Sequence, residues 1–571
     1  MTDFLSFLDD SDYIVDDEGE IIITIPVIEI EGEFQIDLPI KISSNCNTVI
    51  KCGLFRVSSE VLSFSSISFE TTLLVAKCSH LSISNCTIKQ AKMHNSALIL
   101  SECENVSLSH ITISDCKQNG ILITNSIVSA DNLVVSNFDS SFILCQSGSY
   151  VTISDSQFHH SGKDGIKASD QTYIEIKNCT FSDIETCGII SDGSNTSVKS
   201  CNFQNMTCAI EIIKTTDFLI ENCHITNTRQ TTLFITNDSQ GTITDNTISD
   251  TKGNGINAYN SDILVKNNVI ENTFYPCICI AEYSSATITG NKLMNSKRHG
   301  ICVRGAHHAE IERNEIENVE YCAISISDAD LCLIHDNKMK NCKMSSIEVF
   351  NFSKTIVKNN VISDICKNAF HAYLKGSIMA ENNEINNVNE AFVKLSYKGC
   401  GDFINNRVLN CSKQLEGRTT SFYFFSGNGN FEGVTNDKSR INDEVHLDEI
   451  LNVDESENKL CLRCNKNKRD CFSFNCTHKA FCKECAEKAL KNKERCPVCN
   501  LDVLDIQQAI NTDDDDNVCI ICYEKKADCV ISPCGHVIAC YSCMENWIKT
   551  NKICPVCRKE VSKYRKIYNE Y

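Results

Sequence analysis

Along most of the chain, apolar and polar residues alternate in segments of three to five positions that close on Asn, Asp, Gly or Ser. A period of two sends successive side chains to opposite faces of a strand, and the small polar residues at the segment ends are turn formers, so the pattern predicts short strands and tight turns rather than helices. One phrase recurs, as in IEIKNCTF, FLIENCHI, ATITGNKL, TIVKNNVI and GDFINNRV. Its shared position is filled in turn by Cys179, Cys201, Cys223, Asn246, Asn268, Asn291, Asn314, Asn337, Asn360, Asn383 and Asn406, at steps of 22 or 23 residues. An apolar column runs three residues ahead of it (Ile176, Val198, Ile220, Ile243 and onwards) and another two residues behind (Phe181, Phe203, Ile225, Ile248 and onwards). A small residue followed by Ile adds a further strand to most units, at Gly165-Ile166, Gly255-Ile256, Gly300-Ile301 and Ala323-Ile324 among others.

A fixed period of this length marks a repeat architecture. A leucine-rich repeat is the nearest competitor, but its LxxLxL signature is missing and the small-residue turns leave no room for an amphipathic helix. The fold class expected is mainly β, a single-stranded parallel β-helix of about 15 coils of 22–23 residues, each adding about 4.8 Å, followed by two small α+β zinc-binding domains. Stacked side chains give the Asn column a structural role, each amide bonding the amides above and below, with the Cys entries acting as small apolar fillers. The expected boundaries are 1–44 for an acidic N-terminal cap, 45–434 for the coil, 435–458 for a polar linker, 459–502 for a first zinc module, 503–517 for an acidic linker and 518–571 for a second module with its tail.

Composition narrows the function. Of 571 residues 42% are hydrophobic and 22% charged, enough to bury a large core. Lys and Arg number 54 against 74 Asp and Glu, a net charge of −20, which argues against binding nucleic acid or anionic membrane through bulk charge. Twelve of the acids fall in residues 1–40, which hold no Lys or Arg. Met1-Thr2-Asp3 lacks the positive start of a secretory signal, so a cytoplasmic location is expected, with the nucleus as the alternative. In that reducing setting 37 cysteines point to zinc rather than disulfides.

On its repeated phrase and register, the coil resembles right-handed β-helix repeat proteins of the pectin-lyase-like class, including a cytosolic branch found in a ubiquitin-ligase subunit. The resemblance implies the hand of the coil but not its activity, since the fold serves polysaccharide lyases, hydrolases and binding proteins alike. Acting on polysaccharide would need paired carboxylates on neighbouring rungs, whereas Asp192, Glu211 and Glu348 are scattered. The same outward strip carries Phe234, Tyr259, Arg304, Phe350 and Tyr373, an aromatic and Arg mixture suited to docking a protein substrate or partner.

After residue 458 the cysteines become regular. One set is Cys461, Cys464, Cys476, His478, Cys482, Cys485, Cys496 and Cys499; the other is Cys519, Cys522, Cys534, His536, Cys540, Cys543, Cys554 and Cys557, with identical intervals. Eight soft ligands in pairs suit two tetrahedral Zn²⁺ sites per module, four ions in all, and with every position taken by protein the metals are structural. Cys471 and Cys529 are extra and are read as core packing.

These sets resemble RING fingers, whose first and third ligand pairs share one zinc and whose second and fourth share the other. The resemblance implies a surface for a ubiquitin-conjugating enzyme, made in ligases by an apolar residue before the second ligand, a bulky one four after the sixth, Pro after the seventh and a basic residue after the eighth. The second module supplies Ile521, Trp547, Pro555 and Arg558, and Trp547 is the chain's one tryptophan. The first supplies Arg463, Ala489, Pro497 and Asn500, so it is expected to be degenerate. By the family mechanism the apolar trio docks the enzyme while Arg558, the candidate catalytic residue, bridges it to its thioester-linked ubiquitin. The tail, with Tyr564, Tyr568 and Tyr571, resembles those of dimeric RING ligases and implies a homodimer through the RING regions. The expected function is therefore a non-covalent RING-type ubiquitin ligase. A zinc-binding scaffold without activity and a carbohydrate-active β-helix stay open beside it.

Overall fold

The chain is described here by a computed structural model covering residues 8–37, 39–89, 96–417, 422–426 and 428, and in the C-terminal part 461, 463–464, 471–472, 479–492, 494, 503, 506–508, 519–522, 527 and 529–566. Two compact units divide the chain, residues 1–435 and 436–571.

The first unit is a parallel β-solenoid of about 17 turns. Each strand pairs with its equivalent one turn on, so Ile176 opposes Val198, which opposes Ile220, and the column continues through Ile243, Val265, Ile288, Ile311, Ile334 and Val357. All of these are buried. The second column lies inside as well, where Phe158, Phe181 and Phe203 stack at centroid distances of 4.8 and 4.9 Å. The small residue before Ile is explained by crowding, since a Cβ on Gly255 would sit 2.6 Å from Cγ2 of Ile270 and 2.7 Å from the Cys277 carbonyl.

The Asn column is a continuous ladder. From Asn246 to Asn406 each Nδ2 donates to the Oδ1 of the next rung at 2.8–3.0 Å, ending on Asn428. Each Nδ2 also donates to a carbonyl of the rung before, as Asn314 does to Ile288 at 2.8 Å. Buried amides are thus fully paired, which is what burial demands of them. The thiols of Cys179, Cys201 and Cys223 point at the equivalent carbonyls at 3.8 Å, so these fillers keep one weak bond of the Asn pattern.

Two turn columns in the left-handed region frame the rungs. One is the residue just before the ladder (Asn222, Asp245, Asn267, Gly290, Arg313, Asp336, Asn359, Asn382, Asn405), the other an exposed corner (Asp183, Asn205, Asn227, Asp250, Asn272, Asn295, Asn318, Asn341). Asn, Asp and Gly dominate both because they tolerate positive φ. The exposed corner forms a second amide ladder, for example Asn295 to Asn272 at 3.2 Å and Asn341 to Asn318 at 2.7 Å.

Parallel pairing begins at Ile21, opposite Ile42, inside the stretch expected to be only a cap. Outside that first rung, Tyr13–Val15 runs antiparallel on Ile21–Ile23 and covers its free edge. The early rungs escape a search for a fixed period because their lengths vary: Ile21, Ile42, Phe64, Ile83 and Leu108 share one column at steps of 21, 22, 19 and 25.

In the second unit the described residues of each module form a small antiparallel sheet and one helix. The first has Cys471–Phe472 paired with Lys479–Phe481 and helix α1, Lys483–Lys491. The second has Cys529–Ser532 between Val537–Ala539 and Lys563–Lys566, and helix α2, Tyr541–Asn551. Cys482 and Cys540 occupy the N-cap positions in extended conformation, so each helix starts immediately after a predicted ligand.

Candidate metal centres and partner surface

Three ligand sets come together: Cys461, Cys464, Cys482 and Cys485; Cys519, Cys522, Cys540 and Cys543; and Cys534, His536, Cys554 and Cys557, with the ligand atoms of each set within 4.8 Å of one another. The grouping is the interleaved one. Sγ of Cys464 lies 3.9 Å from Sγ of Cys482, Sγ of Cys522 lies 4.0 Å from Sγ of Cys540, and Sγ of Cys554 lies 3.8 Å from Nδ1 of His536. Four thiolates at about 2.3 Å from one Zn²⁺ stand about 3.8 Å apart, far beyond the roughly 2 Å of a disulfide, so the donor sets fit zinc. Gly535, at φ +76°, makes the left-handed step that lets Cys534 and His536 face one ion. The ligands predicted for the remaining site, Cys476, His478, Cys496 and Cys499, lie outside the described residues.

Around the second module's metals, Ile521 and Trp547 are half-buried against the core formed by Ile531, Ile538, Met544 and the ligand cysteines. Pro555 follows Cys554 and is half-exposed, and Arg558 is exposed at φ +58° with its N–H on the Cys554 carbonyl at 2.9 Å. That bond fixes the backbone of Arg558 to a zinc ligand and leaves the guanidinium in solvent. Ile520, Ile553 and Val556 are also exposed, 36%, 39% and 47%, an apolar surround the sequence reading did not single out.

The first module uses the same positions differently. Arg463 donates from Nη2 to Glu494 at 2.6 Å and from Nη1 to the Cys485 carbonyl at 3.2 Å, and Ala489 is fully buried. Pro497 and Asn500 lie outside the described residues. Cys471 and Cys529 are buried on the first strand of each sheet, as core residues. Tyr564 packs its ring 5.8 Å from Tyr541, while Tyr568 and Tyr571 lie outside the described residues.

On the coil, the outward strip resolves into two columns. Tyr259, Arg304, Phe350 and Tyr373 belong to one, and Phe234 to its neighbour, opposite Asn257. All five are half-exposed. Phe350 and Tyr373 stack at 4.8 Å, and Glu282 receives the Tyr259 hydroxyl at 2.8 Å and faces Arg304 at 3.8 Å. Glu211 and Glu348 share the Phe234 column but stand six rungs apart, about 29 Å, whereas paired glycosidase carboxylates stand about 5–9.5 Å apart. Burial pushes the Glu348 carboxyl above the usual range, beside the Cys322 thiol at 3.4 Å.

Sequence reading missed one charged cluster on another face. Nε2 of His335 lies 3.2 Å from Glu310 and 3.8 Å from Glu312, its Nδ1 lies 2.9 Å from Asp336, and Arg313 contacts Glu312. The only signal was Arg313 in a turn column otherwise held there by Asn, Asp and Gly.

The profile described as a right-handed β-helix region matches residues 71–225, 187–281, 231–387 and 276–437. The profile of the C3HC4-type RING zinc finger matches 457–506 and 515–564. Among curated proteins, the chain is 44% identical over 52 residues to the Arabidopsis thaliana E3 ubiquitin-protein ligase APD2, covering 9% of this chain and 12% of that one. It is 49% identical over 53 residues to the putative apoptosis inhibitor ORF106 of Ostreid herpesvirus 1, covering 9% and 11%. It is 37% identical over 51 residues to mouse E3 ubiquitin-protein ligase LRSAM1, covering 9% and 6%. The chain thus spans 12% or less of the length of these three relatives. Among solved structures, the A-module of the Azotobacter vinelandii mannuronan C-5 epimerase AlgE4 aligns at 11% identity and a TM-score of 0.29, covering 53% of this chain and 88% of that one. The PL6 family alginate lyase AlyGC aligns at 10% identity and 0.22, covering 72% and 96%.

Proposed function

Because the chain belongs to the right-handed β-helix family and ends in two RING fingers, we propose that it is a ubiquitin-protein ligase in which the second RING recruits the charged conjugating enzyme and the coil holds the substrate. The observation that carries this reading is the contrast between the modules. Ile521, Trp547 and Pro555 leave part of their apolar surface uncovered in the second, with Arg558 free to reach outward. In the first, an ion-paired Arg463 and a buried Ala489 stand in the places of Ile521 and Trp547.

Zinc, held by Cys519, Cys522, Cys540 and Cys543 and by Cys534, His536, Cys554 and Cys557, would supply no reacting group; it would cross-link the loops and helix α2 that carry these side chains. Ile521, Trp547 and Pro555 bind the conjugating enzyme through apolar area, a task suited to half-buried rigid side chains. Arg558 hydrogen-bonds both that enzyme and its ubiquitin, restricting the thioester to poses open to a lysine amine. No covalent intermediate forms on this chain. The coil's Tyr259, Arg304, Phe350 and Tyr373 column, with Phe234 beside it, is the surface for the protein substrate, and the first RING serves as a spacer or dimer contact in the cytoplasm.

The test is ubiquitination by the zinc-loaded full chain with activating enzyme, ubiquitin, ATP and a panel of conjugating enzymes. Polyubiquitin made by the parent and lost on Trp547→Ala and on Arg558→Ala supports the reading. No product with any enzyme of the panel would replace it with a zinc-stabilised scaffold.

A further inference from the structure

Cysteines in the coil are mostly interior fillers, and deep burial pushes the thiols of Cys145, Cys277, Cys332 and Cys342 up to about 12. Such thiols are inert at neutral pH. Cys279 and Cys302, like Cys46, Cys52, Cys366, Cys400 and Cys411, stand outside that interior. Cys279 lies in Ile278–Ala281 and Cys302 in Ile301–Arg304, strands in which the first and third residues are buried and the second and fourth face outward. Both cysteines are second residues, and both are half-exposed. They are register partners on successive rungs, between Asn257 on one side and Ser325 on the other.

Nothing in the packing calls for sulfur at an outward position, where a small apolar filler has no hole to fill. The pair has instead the attributes of a reactive dithiol. The neighbouring Cys302 thiol, helped by the Arg304 guanidinium against the cost of burial, holds the Cys279 thiol below its ordinary range. Cys279 in turn pushes Cys302 up, with the more distant Glu348 adding negative charge nearby. Of the two sulfurs, Cys279 is the one more readily ionised. Rung partners sit about 4.8 Å apart between Cα atoms, inside the span of about 4.4–6.8 Å that a disulfide bridges.

We propose that Cys279 and Cys302 form a peroxide-reactive modification site, with Cys279 as the attacking thiolate and Cys302 as the resolving thiol. The Cys279 sulfur attacks one oxygen of hydrogen peroxide; an S–O bond forms, the O–O bond breaks, and hydroxide leaves to take up a proton as water. Cys302 then gives up its proton and attacks the sulfenic sulfur; the S–S bond forms, the S–O bond breaks, and the departing hydroxide becomes a second water. Two thiols are oxidised by one peroxide to one disulfide and two waters. The product is a covalent staple between adjacent rungs in the middle of the strip that carries Tyr259 and Arg304. This inference is independent of the ligase reading.

The zinc-loaded full chain, treated with equimolar hydrogen peroxide, quenched with N-ethylmaleimide and digested, is read by peptide mass spectrometry. Held below its ordinary range and facing a resolving partner, Cys279 is expected to be consumed faster than the exposed Cys46 and Cys366 in the same sample. The expected product is a Cys279–Cys302 cross-linked peptide that dithiothreitol removes. In Cys302→Ser, Cys279 is expected to accumulate as a dimedone-reactive sulfenic acid, and in Cys279→Ser neither product forms. The proposal is overturned if Cys279 is consumed no faster than Cys46 and Cys366, if Cys302→Ser yields no dimedone adduct, or if zinc is released from the RING cysteines before Cys279 is oxidised.

Discussion

The indole N–H of Trp547 donates to the main-chain carbonyl of Ile553 across 2.9 Å, tying helix α2 to the chain that enters Cys554. The one polar atom of the ring is thus satisfied within the module, and what remains uncovered is apolar. Trp547→Phe keeps an aromatic surface and loses this bond, whereas Trp547→Ala loses both. Ubiquitin discharge should fall about tenfold or more for Trp547→Ala and less for Trp547→Phe, as expected when a central aromatic anchor is truncated. Zinc content measured alongside must stay at the parental value for the comparison to report on docking.

Arg558 has a different signature. Its backbone is held on Cys554 but its guanidinium is not, so Arg558→Ala should leave thermal stability and zinc content unchanged and slow ubiquitin transfer. Arg558→Lys should restore only part of the rate, because an ammonium cannot form the planar fork. Equal rates for Arg558→Ala and the parent would remove this residue from the mechanism.

Giving the first module the second module's tryptophan should not awaken it. Ala489 has no exposed surface, and forcing an indole into its place costs about 1–3 kcal/mol or more in overpacking. Ala489→Trp is therefore expected to lower zinc retention in the first module without raising ligase activity. Arg463→Ile, which also breaks the pair with Glu494, should likewise be silent in activity while lowering stability by about 1 kcal/mol or less.

The Asn ladder gives the coil its largest single-residue sensitivity. Asn314→Ala removes the donor to the Ile288 carbonyl and the acceptor of the Asn291 backbone N–H and of one Asn291 side-chain N–H, while Oδ1 of Asn337 keeps only the backbone N–H of residue 314. Unpaired buried groups cost about 1–3 kcal/mol each, so a loss of about 3 kcal/mol or more is expected in urea unfolding. The exposed Asn318→Gly, in the outer ladder, keeps the positive φ and loses only the side-chain bonds, and should cost about 0.5 kcal/mol or less.

Much of this was legible beforehand, and the exceptions have physical causes. A column such as Asn246 to Asn406 is visible because every rung between its members has 22 or 23 residues, whereas Ile21, Ile42, Phe64, Ile83 and Leu108 are joined by rungs of unequal length. Metal ligands are legible because zinc dictates spacing, and three of the predicted sets assemble. What sequence did not reveal were relations across rungs between residues of unlike type, such as His335 with Glu310 and Glu312, or sulfurs like Cys279 whose outward placement depends on one position of register.

Acid should weaken the coil at His299. Burial, with Arg298 beside it, lowers this imidazole to about 4, against roughly 6.5 when unfolded. Above pH 6.5 both states are neutral and the contribution is fully present; as pH falls from 6.5 towards 4 the unfolded chain takes a proton that the fold refuses, and stability is lost. For this half-buried ring the loss is about 2 kcal/mol. His299→Gln keeps an acceptor for the Cys322 N–H and should flatten that part of the pH profile. Identical profiles for parent and variant would refute the assignment.

Chelation should separate the two units. The cysteine clusters lie in residues 461–557, so a zinc chelator should abolish near-ultraviolet signal from Trp547 while the strand signature of the coil persists in the far ultraviolet.

Within the ladder, every amide from Asn246 to Asn406 gives one N–H to the Oδ1 of the later rung, and its own Oδ1 accepts from the earlier one. Their dipoles therefore add instead of cancelling, and mutual polarisation strengthens each bond in the series. The coil acquires an electrical axis, its positive pole towards the later rungs, as an α-helix does through its peptide groups. A break in the middle of the series leaves two short dipoles where there was one long one, so the same substitution should weaken its neighbours more at Asn314 than at Asn406. Position along the axis, and not burial alone, sets what each asparagine is worth.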